Sequence, residues 1–219
     1  MDLRQTLDFL TKLSENNNRE WMMENKPEYE KARQTFKSLV ESVISGVSKL
    51  DDTLGVLEAK QCIFRINRDI RFSKDKRPYK ENFGAFICPG GRKSGMAGYY
   101  VHLQPGESFL AGGVYMPGGQ QLAKIRQEID YNTEDFLKLI QDQKFVEYFT
   151  EIKGEKLKTA PKGYPKDHPH IDLLRFKSYL MMHPIQDKTV LENGFEQYLL
   201  QVFEAMKPFN HFLNTAIND

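Results

Sequence analysis

Apolar residues recur at helical spacing in the first third of the chain. Leucines follow one another at every third or fourth position from Leu3 to Leu13, and a longer stripe begins after Pro27. Proline is tolerated in the first turn of a helix, so Pro27 marks a helix start. The stripe consists of Tyr29, Ala32, Phe36, Leu39, Val40, Val43, Val47 and Leu50. The pattern therefore predicts helices over residues 1–55, the longest of them beginning near Pro27.

The apolar pattern changes in the middle of the chain to alternation, the period of a β-strand. The β-leaning runs there are 62–66, 83–88, 98–103 and 109–115. Short turns rich in glycine and proline separate most of them, and such turns join antiparallel neighbours. The sequence thus predicts one mostly antiparallel sheet within residues 56–116. We expect the long helix to pack on it through Phe36, Val40 and Val47.

Helical spacing returns from residue 120 onward. The helices predicted there span 120–129, 133–140, 145–152, 169–182 and 192–206. Helices on both sides of an antiparallel sheet predict an α+β fold. Since no linker or repeat interrupts the chain, we expect a single domain over residues 1–219, helical at 1–55 and 117–219 around the sheet at 56–116.

Composition limits the class of protein. Apolar residues make up 40% of the chain and charged residues 28%, with a net charge of +1, which argues against disorder and against a general nucleic-acid coat. The two cysteines, Cys62 and Cys88, are too few for a disulfide framework or a zinc site, and are expected to be buried free thiols. No secretory signal and no membrane-spanning run is recognisable, so a cytoplasmic protein without membrane association is expected.

Several spaced segments carry a resemblance to a known family. They are NNREW from Asn17, FRINRDIRFSKDKRPYK from Phe64, Tyr99–Tyr100, GGVYMP from Gly112, Ile125–Arg126, GYPKDHP from Gly163 and LLRFK from Leu173. Together they resemble the uncharacterised proteins grouped as domain of unknown function 2461, in the right order and over nearly the whole chain. The resemblance implies that these segments belong to one domain, and it implies no activity.

Residues 65–80, RINRDIRFSKDKRPYK, concentrate positive charge: seven basic side chains against two acidic ones. If the strand at 62–66 continued, Arg65, Asp69 and Arg71 would share one face. Arginine is suited to such a site because its planar fork binds phosphate or carboxylate with two hydrogen bonds. The segment is either an anion-binding site or a structural ion-pair network, and both readings remain open at this point.

A second candidate lies in the last third. His168, Asp172 and Arg175 have the spacing of one helix face if a helix starts near Pro169. A histidine at a helix start can act as a general acid or base. The alternative is that Asp167 or His168 only caps the helix while Asp172 pairs with Arg175. We also expect Arg68 and Arg175 to meet, with Asp69 or a bound anion between them.

The leading hypothesis is an arginine-rich pocket for a phosphorylated or otherwise anionic small molecule. Its ligand-binding residues would be Arg65, Arg68, Asp69, Arg71, Lys76, Lys80, Arg126 and Arg175. His168 would be the catalytic acid or base if a reaction follows, which the sequence leaves open. The alternative is a nucleic-acid or protein interaction module with residues 65–80 as an exposed basic tongue, binding nucleic acid only weakly. The histidine spacing predicts no metal site, and nothing identifies a cofactor.

Overall fold

The computed structural model describes residues 2–219 and begins with three helices. They are α1 (Arg4–Glu15), α2 (Arg19–Glu24) and α3 (Lys26–Leu50). The Asn18 side chain accepts a hydrogen bond from the Trp21 N–H group and so caps α2, and Pro27 stands in the first turn of α3. The helical N-terminal part and its long helix from Pro27 are as predicted.

A four-stranded antiparallel sheet occupies the centre of the molecule. Its strands are β1 (Phe83–Ile87), β2 (Gly98–Leu103), β3 (Phe109–Val114) and β4 (Tyr179–Pro184). They lie in the order β1-β2-β3-β4, and each pairs antiparallel with its neighbour. The α+β class and the three strands β1 to β3 are confirmed.

The predicted strand at 62–66 is wrong. A short helix, α4, spans Ala59–Cys62, and the next residues only touch the edge of β1. There the Phe64 N–H group donates to the Gly84 carbonyl at 2.9 Å. Alternation over so few residues does not separate a strand from an irregular edge segment. Because no strand continues from this point, the common polar face expected for the following arginines does not form.

The predicted helix at 169–182 is also wrong. It is replaced by a single helical turn, α8 (Ile171–Leu174), and by strand β4. The sequence from Tyr179 to Met182 is a continuous apolar run, and such a run has no period that separates a buried strand from a buried helix. It becomes a strand because β3 has a second edge whose backbone groups need partners, which β4 supplies.

The remaining helices lie mostly after strand β3 in the chain. They are a 3₁₀ turn at Asp52–Leu54, α5 (Gly119–Tyr131), α6 (Thr133–Ile140), α7 (Gln143–Tyr148), α9 (Asp187–Val190) and α10 (Phe195–Asn218). Helix α7 ends before the predicted limit at 152. Helix α10 runs well past the predicted end at 206, with Pro208 inside it. No helix of the described residues 2–219 combines the length and the apolar character needed to cross a membrane.

The two faces of the sheet have different surroundings. On one face Phe83 stacks on Phe36 of α3 with 5.4 Å between ring centres, and Tyr99 packs on Phe203 of α10 at 5.0 Å. The contact of α3 with the sheet through Phe36 is as predicted. The buried apolar side chains of residues 2–219 form one contiguous core, as a single domain requires. The other face carries half-buried side chains and is called the open face below; it bears Tyr100, His102 and Phe109.

Candidate functional site

Residues 65–80, called the basic loop below, fold back on themselves. The Lys80 N–H group donates to the Ile66 carbonyl at 2.8 Å, which closes the base of the loop. Asn17, just after α1, ties this base to the helical part of the molecule. Its side chain accepts from the Tyr79 N–H group and donates to the Tyr79 carbonyl, each at 3.1 Å. The loop is therefore anchored at the point where it meets the sheet.

Several arginines of the basic loop are neutralised within it. Asp75 accepts hydrogen bonds from Arg77 at 2.8 Å and from Arg68 at 2.7 Å, and Arg77 also reaches Glu81. The bonds from Arg77, and then the bond from Arg68, hold the pKa of the Asp75 carboxyl well below its usual value. Arg68, expected to bind a ligand, thus belongs to a surface ion-pair network, which was the alternative interpretation of this segment.

Three further residues expected to bind a ligand also bond inside the loop. Arg71 forms a bidentate ion pair with Asp69, in which the closest atoms are 2.6 Å apart. These hydrogen bonds lower the pKa of the Asp69 carboxyl. Lys76 Nζ donates to the Ile70 carbonyl at 3.0 Å. Arg71 is 75% exposed, so its ion pair is screened by water and contributes little to stability.

A different set of cations lies together at Phe64. Lys80 Nζ is 5.4 Å and the Arg92 guanidinium carbon 5.8 Å from the centre of the Phe64 ring, and Lys80 Nζ donates to the Arg65 carbonyl at 3.1 Å. Partial burial lowers the pKa of Lys80, and the charge of Arg65 lowers it further. Within residues 2–219 no carboxylate is at ion-pair distance from these three side chains. Arg65, Lys80 and Arg92 are called the cation cluster.

The helix face expected for His168, Asp172 and Arg175 does not exist. Helix α8 starts only at Ile171, so His168 precedes it in a loop. Of the alternative interpretation, the ion pair is observed, with Arg175 Nη1 3.2 Å from Asp172 Oδ1, but the residue at the cap position of α8 is His170 and not Asp167 or His168.

Arg126 and Arg175 direct their guanidinium groups at backbone carbonyls. Arg126 on α5 donates to Leu174 at 2.7 Å and to Phe176 at 2.9 Å, and Arg175 donates to Leu157 at 2.6 Å. These bonds fasten the segments around α8 to one another and to α5. Both arginines therefore have a structural task where ligand binding was expected.

Arg68 and Arg175 are not brought into one hydrogen-bonded site. Arg68 bonds within the basic loop, whereas Arg175 bonds to Asp172 and to the segment at Leu157, so they share no partner. The carboxylate expected between them, Asp69, pairs with a neighbouring arginine of the loop instead.

Both ring nitrogens of His168 are occupied within the protein. Its Nε2 lies 2.8 Å from Asp130 Oδ1 on α5, and its Nδ1 accepts from the His170 N–H group at 3.1 Å. A surface groove of about 460 Å³ runs past His168, His170 and the start of α6. Before it could exchange a proton with a ligand there, His168 would have to break one of these two hydrogen bonds.

A row of aromatic rings crosses the open face beside the cation cluster. The Phe64 ring meets the Tyr100 ring edge-on with 6.1 Å between centres, and His102 stacks on Phe109 at 4.4 Å. Gly84 on β1 makes room for this arrangement, since a Cβ atom there would lie 2.5 Å from the Tyr100 hydroxyl oxygen. The cation cluster and the open face thus form one continuous surface joined by Phe64.

A chain of hydrogen bonds lies on this surface. The Tyr100 hydroxyl is 3.1 Å from His102 Nδ1, His102 Nε2 is 3.0 Å from Gln104 Oε1, and the Gln104 amide nitrogen donates to Glu107 at 2.5 Å. Asn82 Nδ2 also approaches His102 Nδ1, at 3.3 Å. Burial lowers the pKa of His102 and raises the pKa of Tyr100 to about 12. Both side chains are therefore neutral near pH 7.

Sequence reasoning missed Arg92 and the pair of Tyr100 and His102. The alternation within β2 was a usable signal for the pair, because residues two apart on a strand share a face. Tyr99 and Tyr100 face opposite sides of the sheet, with Tyr99 buried in the core. For Arg92 no signal existed, since it lies in the β1–β2 turn and only the fold brings it to Phe64.

Both cysteines are free and buried, as expected. Burial raises the pKa of Cys62 to about 11 and also raises that of Cys88. Neither thiol is therefore an effective nucleophile near neutral pH.

The family of the chain follows from comparison with known proteins. The family model described as "Conserved hypothetical protein (DUF2461)" matches residues 5–212, a range that includes the cation cluster, the open face and His168. No curated protein and no solved structure gives a significant match. Because the model covers nearly the whole chain, the protein belongs to the DUF2461 family of conserved hypothetical proteins.

Proposed function

We propose that the protein binds an anionic small molecule, such as a phosphorylated compound, at the cation cluster beside the open face. The proposal retains the anionic ligand expected from the sequence and changes the residues that bind it. Arg65 and Lys80 remain, and Arg92 joins them. Arg68, Asp69, Arg71 and Lys76 bond within the basic loop, and Arg126, Arg175 and His168 bond to backbone or to α5, so these residues are outside the proposed site.

The observation that carries the proposal is the grouping of three cations without a carboxylate. Partial burial of Lys80 has a desolvation cost, and the charge of Arg65 repels its ammonium group, as the lowered pKa of Lys80 reflects. Elsewhere in the basic loop the arginines have acidic partners at 2.6 to 2.8 Å. The charge of Arg65 reaches Asp69 and lowers the pKa of that carboxyl, but Asp69 is bonded to Arg71 and forms no ion pair with the cation cluster. A bound anion would therefore offset the repulsion at the cation cluster.

Two of these cations are held in place before any ligand arrives. Arg92 Nη1 donates to the carbonyls of Lys60 at 2.9 Å and Gln61 at 2.7 Å, and Lys80 Nζ donates to the Arg65 carbonyl. Each of these side chains has further N–H groups that can point to a ligand. Fixing a donor in advance lowers the entropy lost on binding, so the site is prepared for an anion.

Calorimetric titration with inorganic pyrophosphate tests the proposal. We expect saturable binding that weakens roughly 10- to 100-fold in Lys80→Gln, the range for loss of a charged hydrogen bond. Lys74→Gln is the matched control: it removes the same charge from an exposed position of the same loop and should leave the affinity nearly unchanged. Equal losses in both variants would show only a general charge effect and would contradict a defined site.

A second candidate function, binding of single-stranded nucleic acid, is favoured by the tip of the basic loop. Phe72 is 94% exposed, and the Arg71 guanidinium carbon lies 5.7 Å from its ring centre. An exposed aromatic ring beside cations can stack on an unpaired base while the cations meet the phosphates. Three of the seven loop cations, Arg68, Arg71 and Arg77, are already paired with acidic side chains, so we expect only weak binding.

Fluorescence anisotropy with a labelled thymidine oligonucleotide separates the two functions. Binding by the loop tip should fall steeply between about 50 and 200 mM salt and should weaken in Phe72→Ala. Val56→Ala, which shortens another fully exposed apolar side chain, serves as the control. A complex that stays tight at physiological salt would place nucleic-acid binding ahead of the small anionic ligand.

A further inference from the structure

The hydrogen-bond chain on the open face has a direction. The Gln104 amide nitrogen donates to Glu107, so its oxygen faces His102 and accepts the Nε2–H proton. His102 Nδ1 then carries the lone pair, which faces the Tyr100 hydroxyl at 3.1 Å and the Asn82 amide nitrogen at 3.3 Å, and the shorter bond is the one that Tyr100 donates. The oxygen of Tyr100 keeps lone pairs that can accept a proton from outside. The chain thus runs from Glu107 to an acceptor at Tyr100.

Burial keeps His102 neutral and Tyr100 protonated, as a proton transfer from Tyr100 to His102 requires. It lowers the pKa of His102, so the imidazole is neutral and its Nδ1 carries a lone pair rather than a proton. It raises the pKa of Tyr100 to about 12, so the phenol retains a proton to pass on. The groups facing His102 oppose the effect of burial, because the Gln104 oxygen and the Glu107 charge both raise its pKa. They would stabilise the imidazolium once it formed.

The relay lies next to the cation cluster. The centre of the Phe64 ring is 6.1 Å from the centre of the Tyr100 ring. The same ring centre is 5.4 Å from Lys80 Nζ and 5.8 Å from the Arg92 guanidinium carbon. A ligand whose anionic group meets Lys80 and Arg92 would extend over Phe64 toward Tyr100.

We propose that Tyr100 and His102 form a proton relay that activates water against a phosphodiester bound at the cation cluster. This inference rests on the proposed function, since it requires an anion at that cluster. Tyr100 and His102 are the catalytic residues, and Gln104 and Glu107 are positioning residues that act through His102.

The chemistry of the site selects a phosphodiester among anions. Neither cysteine is available as a nucleophile, so a water molecule beside Tyr100 is the attacking group that the relay can supply. A carboxylate ligand has no leaving group. A phosphomonoester reacts through a loose transition state in which little is gained by deprotonating the nucleophile. A diester gains negative charge as water attacks, which a base assists and neighbouring cations stabilise.

The step balances without a further reactant. Water gives a proton to the Tyr100 oxygen while Tyr100 gives its own proton to His102 Nδ1, and the water oxygen forms a bond to phosphorus. The bond between phosphorus and one ester oxygen breaks, and the departing alkoxide takes a proton from solvent. His102 then returns its extra proton to solvent through Tyr100. One diester and one water yield a monoester and an alcohol.

The test uses bis(4-nitrophenyl) phosphate, whose cleavage releases coloured 4-nitrophenolate. We expect turnover by the full chain that falls about 100-fold or more in Tyr100→Phe and in His102→Gln, as for loss of a general base. Pyrophosphate binding, measured by calorimetry, should change by less than about twofold in both variants, since the cation cluster is intact. Tyr115→Phe and His211→Gln, which alter the same residue types at exposed positions, should keep full turnover.

A pH profile separates a relay from a merely structural role. Turnover should rise with pH as His102 loses its proton and then level off. In Glu107→Gln the rise should move to lower pH, because the charge that raises the pKa of His102 is gone. Pyrophosphate binding without turnover above that of Tyr100→Phe would overturn the relay and leave the proposed binding function standing. No pyrophosphate binding would overturn both.

Discussion

Tyr99 and Tyr100 are neighbours in the sequence, yet the strand turns them to opposite faces with opposite roles. The Tyr99 hydroxyl is buried and donates to Asp51 at 2.7 Å. Burial alone would raise the pKa of Asp51, but hydrogen bonds from Thr53 and Tyr99 outweigh it and keep this pKa below its usual value. At the scale of single residues, one tyrosine therefore stabilises the core and the other offers an oxygen to the open face.

The bond between Tyr99 and Asp51 predicts a pH-dependent loss of stability. Tyr99→Phe should lower the free energy of unfolding by about 1–3 kcal/mol at pH 7, because the buried Asp51 carboxylate loses a donor. A carboxyl whose pKa is lowered in the folded state stabilises the protein above its unfolded pKa, near 4, and this contribution is lost as the pH falls through the lowered value. The difference between variant and wild type should therefore shrink below about pH 4.

Urea unfolding at pH 7 and at pH 3 measures this difference. Tyr115→Phe removes a hydroxyl from a side chain that is 72% exposed and should be neutral at both pH values. A loss of the same size at pH 3 and pH 7 would mean that the Asp51 charge plays no part.

At the scale of elements, the long apolar stripe of α3 was a reliable guide, because it has enough repeats to define a helix. Strands β1 to β3 were predicted correctly because turns rich in glycine and proline bound them, whereas the alternation over 62–66 was too short to define a strand. The run that forms β4 has no period, and its strand character comes from pairing with β3, a partner distant in sequence. The candidate site could be predicted only in part for the same reason. The positive charge of residues 65–80 can be read from the sequence, but the ion pair of Arg77 with Glu81, the position of Arg92 and the open face depend on the fold.

The anchoring of the basic loop by Asn17 can be tested directly. Asn17→Ala removes two hydrogen bonds to Tyr79 and one to Glu81, so the base of the loop should open more often. We expect faster hydrogen exchange at the Lys80 amide and weaker pyrophosphate binding, because Lys80 is no longer held at Phe64. Mass spectrometry of exchanged peptides and calorimetry provide the two measurements.

Asn16→Ala is the matched control for this prediction. The Asn16 side chain donates to the Lys12 carbonyl at the end of α1, so its hydrogen bond is made within the helix and not with the basic loop. If it weakened pyrophosphate binding as much as Asn17→Ala, the effect would come from the end of α1 rather than from the loop anchor.

At the scale of the whole molecule, α10 connects the parts that the sequence separates. Phe209 lies between α6, α7 and the sheet: its ring centre is 6.1 Å from Phe136 and 5.9 Å from Phe145, and a Cβ atom on Gly113 of β3 would lie 3.1 Å from it. The same helix packs on Tyr99 of β2 through Phe203. Loss of packing at Phe209 should therefore destabilise the N-terminal helices as well as the C-terminal ones.

Phe209→Ala tests whether residues 1–219 unfold as one domain. A fully buried phenylalanine cut back to alanine should cost about 3–5 kcal/mol of the free energy of unfolding. Trp21, the only tryptophan, reports on the N-terminal helices by fluorescence, and circular dichroism reports on all helices. In a single domain both urea transitions shift together to lower concentration, because the core is contiguous. Phe72→Ala, at an exposed position, should leave both transitions unmoved. A Trp21 transition that stays in place while the helical signal shifts would show that the N-terminal helices unfold independently of α10.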